Sequence, residues 1–399
     1  MSKIDELIAQ LCPDGVEYKK IKDEYKRLKG TPITAGKMKE IDNPEGEIRI
    51  FAGGKTVINA REEDIPNANI TRVPAVLVQS RGVIDFIFYE EPFTFKNEMW
   101  AYTHDDRISV KFLYYVLKNN AMHFRDAASG MGSLPQISLP VTEEFKVPVP
   151  PKEVQREIVH VLDEFTLLTS ELTSELSARR KQYEYYRNEL LSFDNDVKTV
   201  PLEEIADIGT GSSNTNEGLE EGLYPFFVRS QEPLRKNEYE YDETAIITAG
   251  DGVGVGKVFH YVEGKYALHQ RAYRIHINTP EVLPRYYFHY MRSAFLPYIQ
   301  KSMFQGSVAS IRRPMLNAFP VPVPSLDVQE RLINVLDNFE AICSDLDIGL
   351  PAEIEARQKQ YEYYRDLLLT FVETGSSILT DRQTDRQTDR QTDRQTDRA

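Results

Sequence analysis

The run Gly250-Asp251-Gly252-Val253-Gly254-Val255-Gly256-Lys257 is the segment that looks most like chemistry, because glycines ending on a lysine can cradle phosphate. The next residue removes that reading: Val258 stands where a serine or threonine would hold magnesium. Gly53-Gly54-Lys55-Thr56 has the Lys-Thr pair, but Arg49 occupies the upstream glycine position. Both segments therefore read as turns. Asp251 with Glu263-Gly264-Lys265 offers the carboxylates and lysine of a magnesium-dependent nuclease. The competing reading is a hairpin, and the aligned first-half position, Ser80, lacks the carboxylate. The seven histidines show no metal-ligand spacing alongside Cys12 and Cys343. Taken together, these residue types point away from catalysis and from a bound metal or cofactor on this chain.

The elements around them form a repeat. Val147-Pro148-Val149-Pro150 leads through Gln155, Asp163 and Phe165 to Lys181-Gln182-Tyr183-Glu184-Tyr185-Tyr186-Arg187. Val321-Pro322-Val323-Pro324 leads through Gln329, Asp337 and Phe339 to Lys359-Gln360-Tyr361-Glu362-Tyr363-Tyr364-Arg365. In the first copy Ile158, Leu162, Phe165, Leu168, Leu172 and Leu176 step by threes and fours, then Tyr183, Tyr186 and Leu190 continue the seam. The second copy is interrupted at Gly349-Leu350-Pro351, where glycine suits a helix end and proline a new first turn. Seams of this length need partners, so the two helical copies are expected to pack as an antiparallel pair. Between them lie dissimilar regions in which strand-like runs (Ala75–Val78, Phe86–Tyr89, Ala245–Thr248) mix with helices near 110–119 and 286–298. The expected fold is mixed α/β (α+β), with an internal pseudo-two-fold repeat. The expected boundaries are 1–150 for the first globular region, 151–194 for a central helix, 195–324 for the second globular region, 325–371 for a C-terminal helical region, and a tail from 372. Two-fold scaffolds with variable heads suit a two-fold ligand, of which duplex DNA is the commonest.

Composition narrows the class. At 399 residues with 41% hydrophobic content the chain should hold more than one core. No stretch approaches a membrane span, the acidic N-terminal segment does not resemble a signal peptide, and two distant cysteines suit a reducing compartment, so a cytoplasmic location without membrane association is expected. The net charge of −14 argues against a histone-like coat, yet Val282–Leu326 lacks acids while carrying Arg285, Arg292, Lys301, Arg312 and Arg313. Residues 107–142 hold Arg107, Lys111, Lys118 and Arg125 against Asp126 alone. Both basic stretches precede a Val-Pro-Val-Pro segment, a matched placement that suits nucleic acid.

The paired Gln-Asp-Phe-Lys-Gln-Tyr-Glu-Tyr-Tyr-Arg series, with the opening Leu11-Cys12-Pro13-Asp14-Gly15-Val16-Glu17-Tyr18, resembles type I restriction–modification specificity (S) subunits over residues 3–371. The resemblance implies two target-recognition domains that each read half of a split, asymmetric site in double-stranded DNA. It implies helices that set the gap and dock two methyltransferase (M) subunits, with restriction (R) translocase–nuclease subunits joining the complex. S-adenosylmethionine, ATP and magnesium would then reside on those partners. No Asn-Pro-Pro-Tyr or Asp-Pro-Pro-Phe string for adenine methylation occurs here. The candidate DNA contacts are Arg81, Lys111, Lys301, Arg312 and Arg313. The candidate docking positions are Tyr183, Tyr186, Tyr361 and Tyr364, whose bland alternative is helix-packing core. Thr169-Ser170-Glu171-Leu172 and Thr173-Ser174-Glu175-Leu176 form a tandem repeat that reads as a spacer, Thr169, Leu172, Thr173 and Leu176 marking its register. A two-headed protein-binding scaffold is the alternative of a different class, and the nuclease is the third. The tail repeats Thr-Asp-Arg-Gln from Thr380; ACA-GAC-AGA-CAG would encode it as a pure ACAG tract, the mark of a phase-variable gene.

Overall fold

The computed structural model describes residues 3–128, 134–194, 196–301, 310–344 and 347–371; the Thr-Asp-Arg-Gln tail lies outside them. The chain divides into two compact units, residues up to Ser170 with those from Ala356, and Glu171–Glu355. Both divisions fall inside the helical regions.

In the first unit, the strand Ala75–Gln79 is buried along its whole length, as its Ala-Val-Leu-Val run dictates. It sits inside a four-stranded sheet between Trp100–Thr103 and Asp85–Tyr89, with Lys26–Lys29 at the edge. A second sheet sets Ile48–Phe51 antiparallel to Val57–Ala60 and parallel to Phe93–Phe95, over its own small core of Met38, Ile41, Ile48 and Ile50. Asp106 caps the helix Arg107–Asn119 by accepting from the Ile108 amide. The apolar face of that helix (Phe112, Leu113, Val116) joins Val76, Val78, Phe86 and Tyr102 in the main core. Val154, Ile158 and Leu162 enter the same core, as do Leu368, Leu369 and Phe371. The first Val-Pro-Val-Pro segment forms the strand Lys146–Val149, antiparallel to Glu17–Lys20.

In the second unit six strands run in the order Ala206–Thr210, Ala272–Ile277, Tyr241–Ala249, Phe259–Leu268, Tyr224–Phe227, Leu234–Lys236. The helix Pro284–Gln300 buries Tyr286, Tyr287, Met291 and Phe295 against Ile246 and Ile275. Leu332, Leu336 and Cys343 close that core together with Tyr183 and Leu191. The second Val-Pro-Val-Pro segment forms the strand Pro320–Pro322, antiparallel to Thr199–Pro201.

One helix, Lys152–Leu190, runs for 39 residues without interruption. It contains no glycine or proline, and between Leu162 and Tyr183 it has no buried residue. Its buried positions are Val154, Gln155, Ile158, Val159 and Leu162 towards one end and Tyr183 towards the other. The C-terminal helical region is two helices, Leu326–Ser344 and Leu350–Leu369, with Pro351 in the first turn of the second.

Candidate nucleic-acid interface

The two repeats make the same contacts at the same places, each within its own unit. Asp163 accepts a short hydrogen bond from Tyr115 and pairs with Lys111 Nζ at 2.9 Å. Asp337, 174 positions later by the offset of the sequence repeat, pairs with Arg285 at 2.8 Å and with His289 Nε2 at 2.6 Å. Glu340 adds ion pairs to Arg285 and Arg292. Gln155 donates to the carbonyl of Pro150 at 2.8 Å, and Gln329 donates to that of Pro324 at 2.9 Å.

The electrostatics follow from these contacts. Burial, reinforced by the hydrogen bond to Asp163, pushes the Tyr115 phenol well above its ordinary range. Burial alone would raise the Asp337 carboxyl, but the hydrogen bonds from Arg285 and His289 outweigh it and hold the group below its usual value. His289 is fully buried and its pKa is lowered, chiefly by burial. Its Nδ1 finds no partner among the described residues, so a second proton there would have no acceptor. The ligand atoms of His289, Asp337 and Glu340 lie within 4.8 Å of one another, a spacing open to a cation. Arg285 and Arg292 already neutralise both carboxylates, and a cation would have to displace them.

The same geometry gives several residues of the basic stretches acidic partners. Lys111 keeps only 18% of its side-chain exposure and is committed to Asp163 and to the Phe88 ring, 5.0 Å away. Arg107 pairs with Glu90 and Lys118 with Asp85, while Arg285 and Arg292 bind the Leu326–Ser344 helix. Much of the positive charge counted along the sequence is therefore cancelled by acids from distant segments. Of the other candidate contacts, Arg81, Lys301, Arg312 and Arg313 are exposed. Arg313 also donates through one guanidinium nitrogen to the Ile208 carbonyl.

Arg81 occupies a notable position. Its backbone bridges to Gln136, as that of Asp251 bridges to Ser310, and the Ile137 amide bonds Ser80 as the Ile311 amide bonds Gly250. The structural counterpart of Asp251 is therefore Arg81, one residue beyond the Ser80 expected from sequence. The glycine-rich run is the turn between Tyr241–Ala249 and Phe259–Leu268. A Cβ on Gly250 would meet the Arg271 carbonyl at 2.6 Å, and one on Gly254 the Arg229 carbonyl at 2.5 Å, so glycine is required for close backbone approach. The nuclease constellation is not assembled: Asp251 pairs with Arg229 and Arg271, whereas Glu263 lies opposite Thr244 and binds the Tyr261 hydroxyl.

The tyrosines divide by role. Tyr183 is buried in the second unit and Tyr361 is half-buried against the first core, with Arg187 and Arg365 over their rings at 5.6 and 5.7 Å. Tyr364 stacks on Phe165 at 5.6 Å between ring centroids, and Tyr186 stacks on Phe339 at 6.1 Å. The most exposed rings are Tyr185 and Tyr363, at 60% and 61%, which the helical periodicity alone did not single out. Thr169, Leu172, Thr173 and Leu176 lie in the middle of the long helix, Leu176 partly buried against the second core, and the division between the units falls inside their tandem repeat.

The family model for the type I restriction modification DNA specificity domain matches the chain twice, over residues 13–179 and 194–356. The chain belongs to that family. It is 33% identical over 357 residues to the type I restriction enzyme EcoR124I/EcoR124II specificity subunit of Escherichia coli, covering 81% of this chain and 87% of that one. The fold is similar to the crystal structure of a type I restriction–modification S subunit from M. genitalium (TM-score 0.58, 18% identity, 89% of this chain and 95% of that one). It is also similar to a chain from a study of complex assembly and conformational transition of the type I system (TM-score 0.54, 13% identity, 90% and 98%). This is a specificity subunit of a type I restriction–modification system, and membership of the family supports a non-catalytic role. Among the described residues, no helix is long and apolar enough to cross a membrane.

Proposed function

We propose that this chain reads a bipartite, asymmetric site in duplex DNA, with one recognition region (1–150 and 195–324) contributing to each half. The helical copies pack antiparallel as a pseudo-two-fold scaffold that sets the gap and docks two methyltransferase subunits, which restriction subunits join. The observation that carries the reading is the duplicated set of contacts at Asp163 and Asp337. Each fastens a variable region to a repeated helix in the same manner, while the strands between differ. Reciprocal stacking of Phe165 on Tyr364 and of Tyr186 on Phe339 supports the antiparallel pairing. On this reading Arg81, Lys301, Arg312 and Arg313 face DNA, and Lys111 positions its recognition region on the helix.

Titrating the full-length chain onto labelled duplex at increasing salt tests this. Six to ten phosphate contacts would weaken binding by about 10³–10⁵ between 50 and 200 mM salt. Binding to duplex that is absent or indifferent to salt would favour a protein-binding scaffold.

A further inference from the structure

Three observations meet at the turn after Ala249. Asp251 holds two arginines at once: its Oδ1 accepts from Arg229 Nη1 at 2.6 Å and its Oδ2 from Arg271 Nη1 at 3.0 Å. Each arginine uses one nitrogen in this way, and both remain substantially exposed, at 40% and 63%. The aspartate itself is only 21% exposed, and although burial opposes its charge, the two hydrogen bonds keep its carboxyl below the usual range. It stays ionised near neutral pH and anchors the pair continuously.

The surroundings make the arrangement rigid. Gly250 and Gly254 let the Arg271 and Arg229 backbones approach too closely for any side chain. The Gly250 amide donates to the Arg271 carbonyl at 2.9 Å, and the Ile311 amide donates to the Gly250 carbonyl at 2.8 Å. Asp251 and Arg271 border a cleft of about 210 Å³ lined also by Gln270, Tyr273 and Ser310. Two arginines on one aspartate leave net positive charge at the turn. The corresponding turn of the first unit reaches the same result with one residue, because Arg81 stands in the place of Asp251.

We propose that Asp251 positions Arg229 and Arg271 as a paired guanidinium reader, which determines the second unit's half-site by bidentate contact with guanine in the major groove. A guanidinium fixed through one nitrogen keeps further N–H groups for the guanine O6 and N7 acceptors, and its side-chain entropy is already lost before DNA arrives. The proposal rests on the DNA-reading function proposed above.

The test uses the full-length chain and two duplexes: one with the motif that the wild-type protein causes to be methylated in its host, and one with the second half-site scrambled. Anisotropy titrations should show Arg271→Ala losing about 5–150-fold in affinity for the motif duplex, the range for one bidentate contact, with far less change on the scrambled duplex. Asp251→Asn should weaken binding to the motif but strengthen binding to the scrambled duplex, since it removes a negative charge. A merely structural role would not move the two in opposite directions. Equal losses on both duplexes with a shallower salt slope would make the arginines phosphate clamps and overturn the proposal, as would no change on either. If the wild-type chain bound neither duplex, the DNA-reading function itself would fail, a result distinct from these.

Discussion

Insertion of a third Thr-Ser-Glu-Leu unit after Leu176 probes the long helix as a ruler. The helix is continuous from Lys152 to Leu190, and none of its residues between Leu162 and Tyr183 is buried, though Leu176 packs at the edge of the second core. An extra copy should therefore change stability by no more than about 0.5 kcal/mol, as surface changes do. Four residues add about 6 Å of rise and about 40° of rotation beyond a full turn. One base pair advances DNA by roughly 3.4 Å and turns it by roughly 34–36°. Rise alone would favour nearly two base pairs and rotation one. Rotation should decide, because a recognition region turned by one base-pair step faces the wrong part of the groove, whereas a residual displacement of about 2–3 Å can be taken up by bending. The expected outcome is a gap longer by one base pair with both half-sites unchanged, measured by sequencing modified bases in hosts carrying each form. An unaltered gap, or a change in either half-site, would refute the ruler.

Three other expectations concern the contacts and a fourth the tail. Asp337→Ala should destabilise the second unit by about 2 kcal/mol, lowering its melting temperature by about 4–8 °C. It strands the buried Nε2 of His289, and partial exposure of the carboxylate moderates the loss. Because the folded pKa of His289 is lowered, the unfolded chain takes up that proton first. Stability should then fall as pH drops below about 6.5 and be unaffected by this group above it, and denaturation at pH 7.5 and 5.5 should show a smaller difference in His289→Gln. Tyr185→Ala with Tyr363→Ala should weaken capture of methyltransferase subunits by roughly 5–150-fold per site while leaving DNA preference intact, as pull-down and anisotropy would show. Sequencing the locus across single colonies should reveal a variable count of Thr-Asp-Arg-Gln repeats; a fixed count, or codons that break the ACAG tract, would end the phase-variation idea.

Local pattern made much of the fold legible. The threes-and-fours stepping from Ile158 to Leu190 gave the long helix, Pro351 marked the start of Leu350–Leu369, and Ala75–Val78 gave a buried strand. These features depend on neighbours in sequence. The small sheet joining Ile48–Phe51 in parallel to Phe93–Phe95 was not legible, since parallel pairing links segments with no turn to announce it. The partners of the basic residues were not legible for the same reason: Lys111, Arg285 and Arg292 look free along the chain, but their acids arrive from the repeated helices. The glycine run was recognisable as a turn, yet its purpose depends on Arg229 and Arg271, about twenty residues to either side in sequence. Tyr185 and Tyr363 were legible as residues but not as surface, because one helix alone does not reveal which face its partner covers.

A domain exchange tests most directly whether each recognition region reads its own half of the target. Residues 197–320 would be replaced by the corresponding region of another family member, and the modified motif determined by sequencing host DNA. The expected result is one new half-site, the other half-site unchanged and the gap retained. A motif altered in both halves, or in neither, would contradict it.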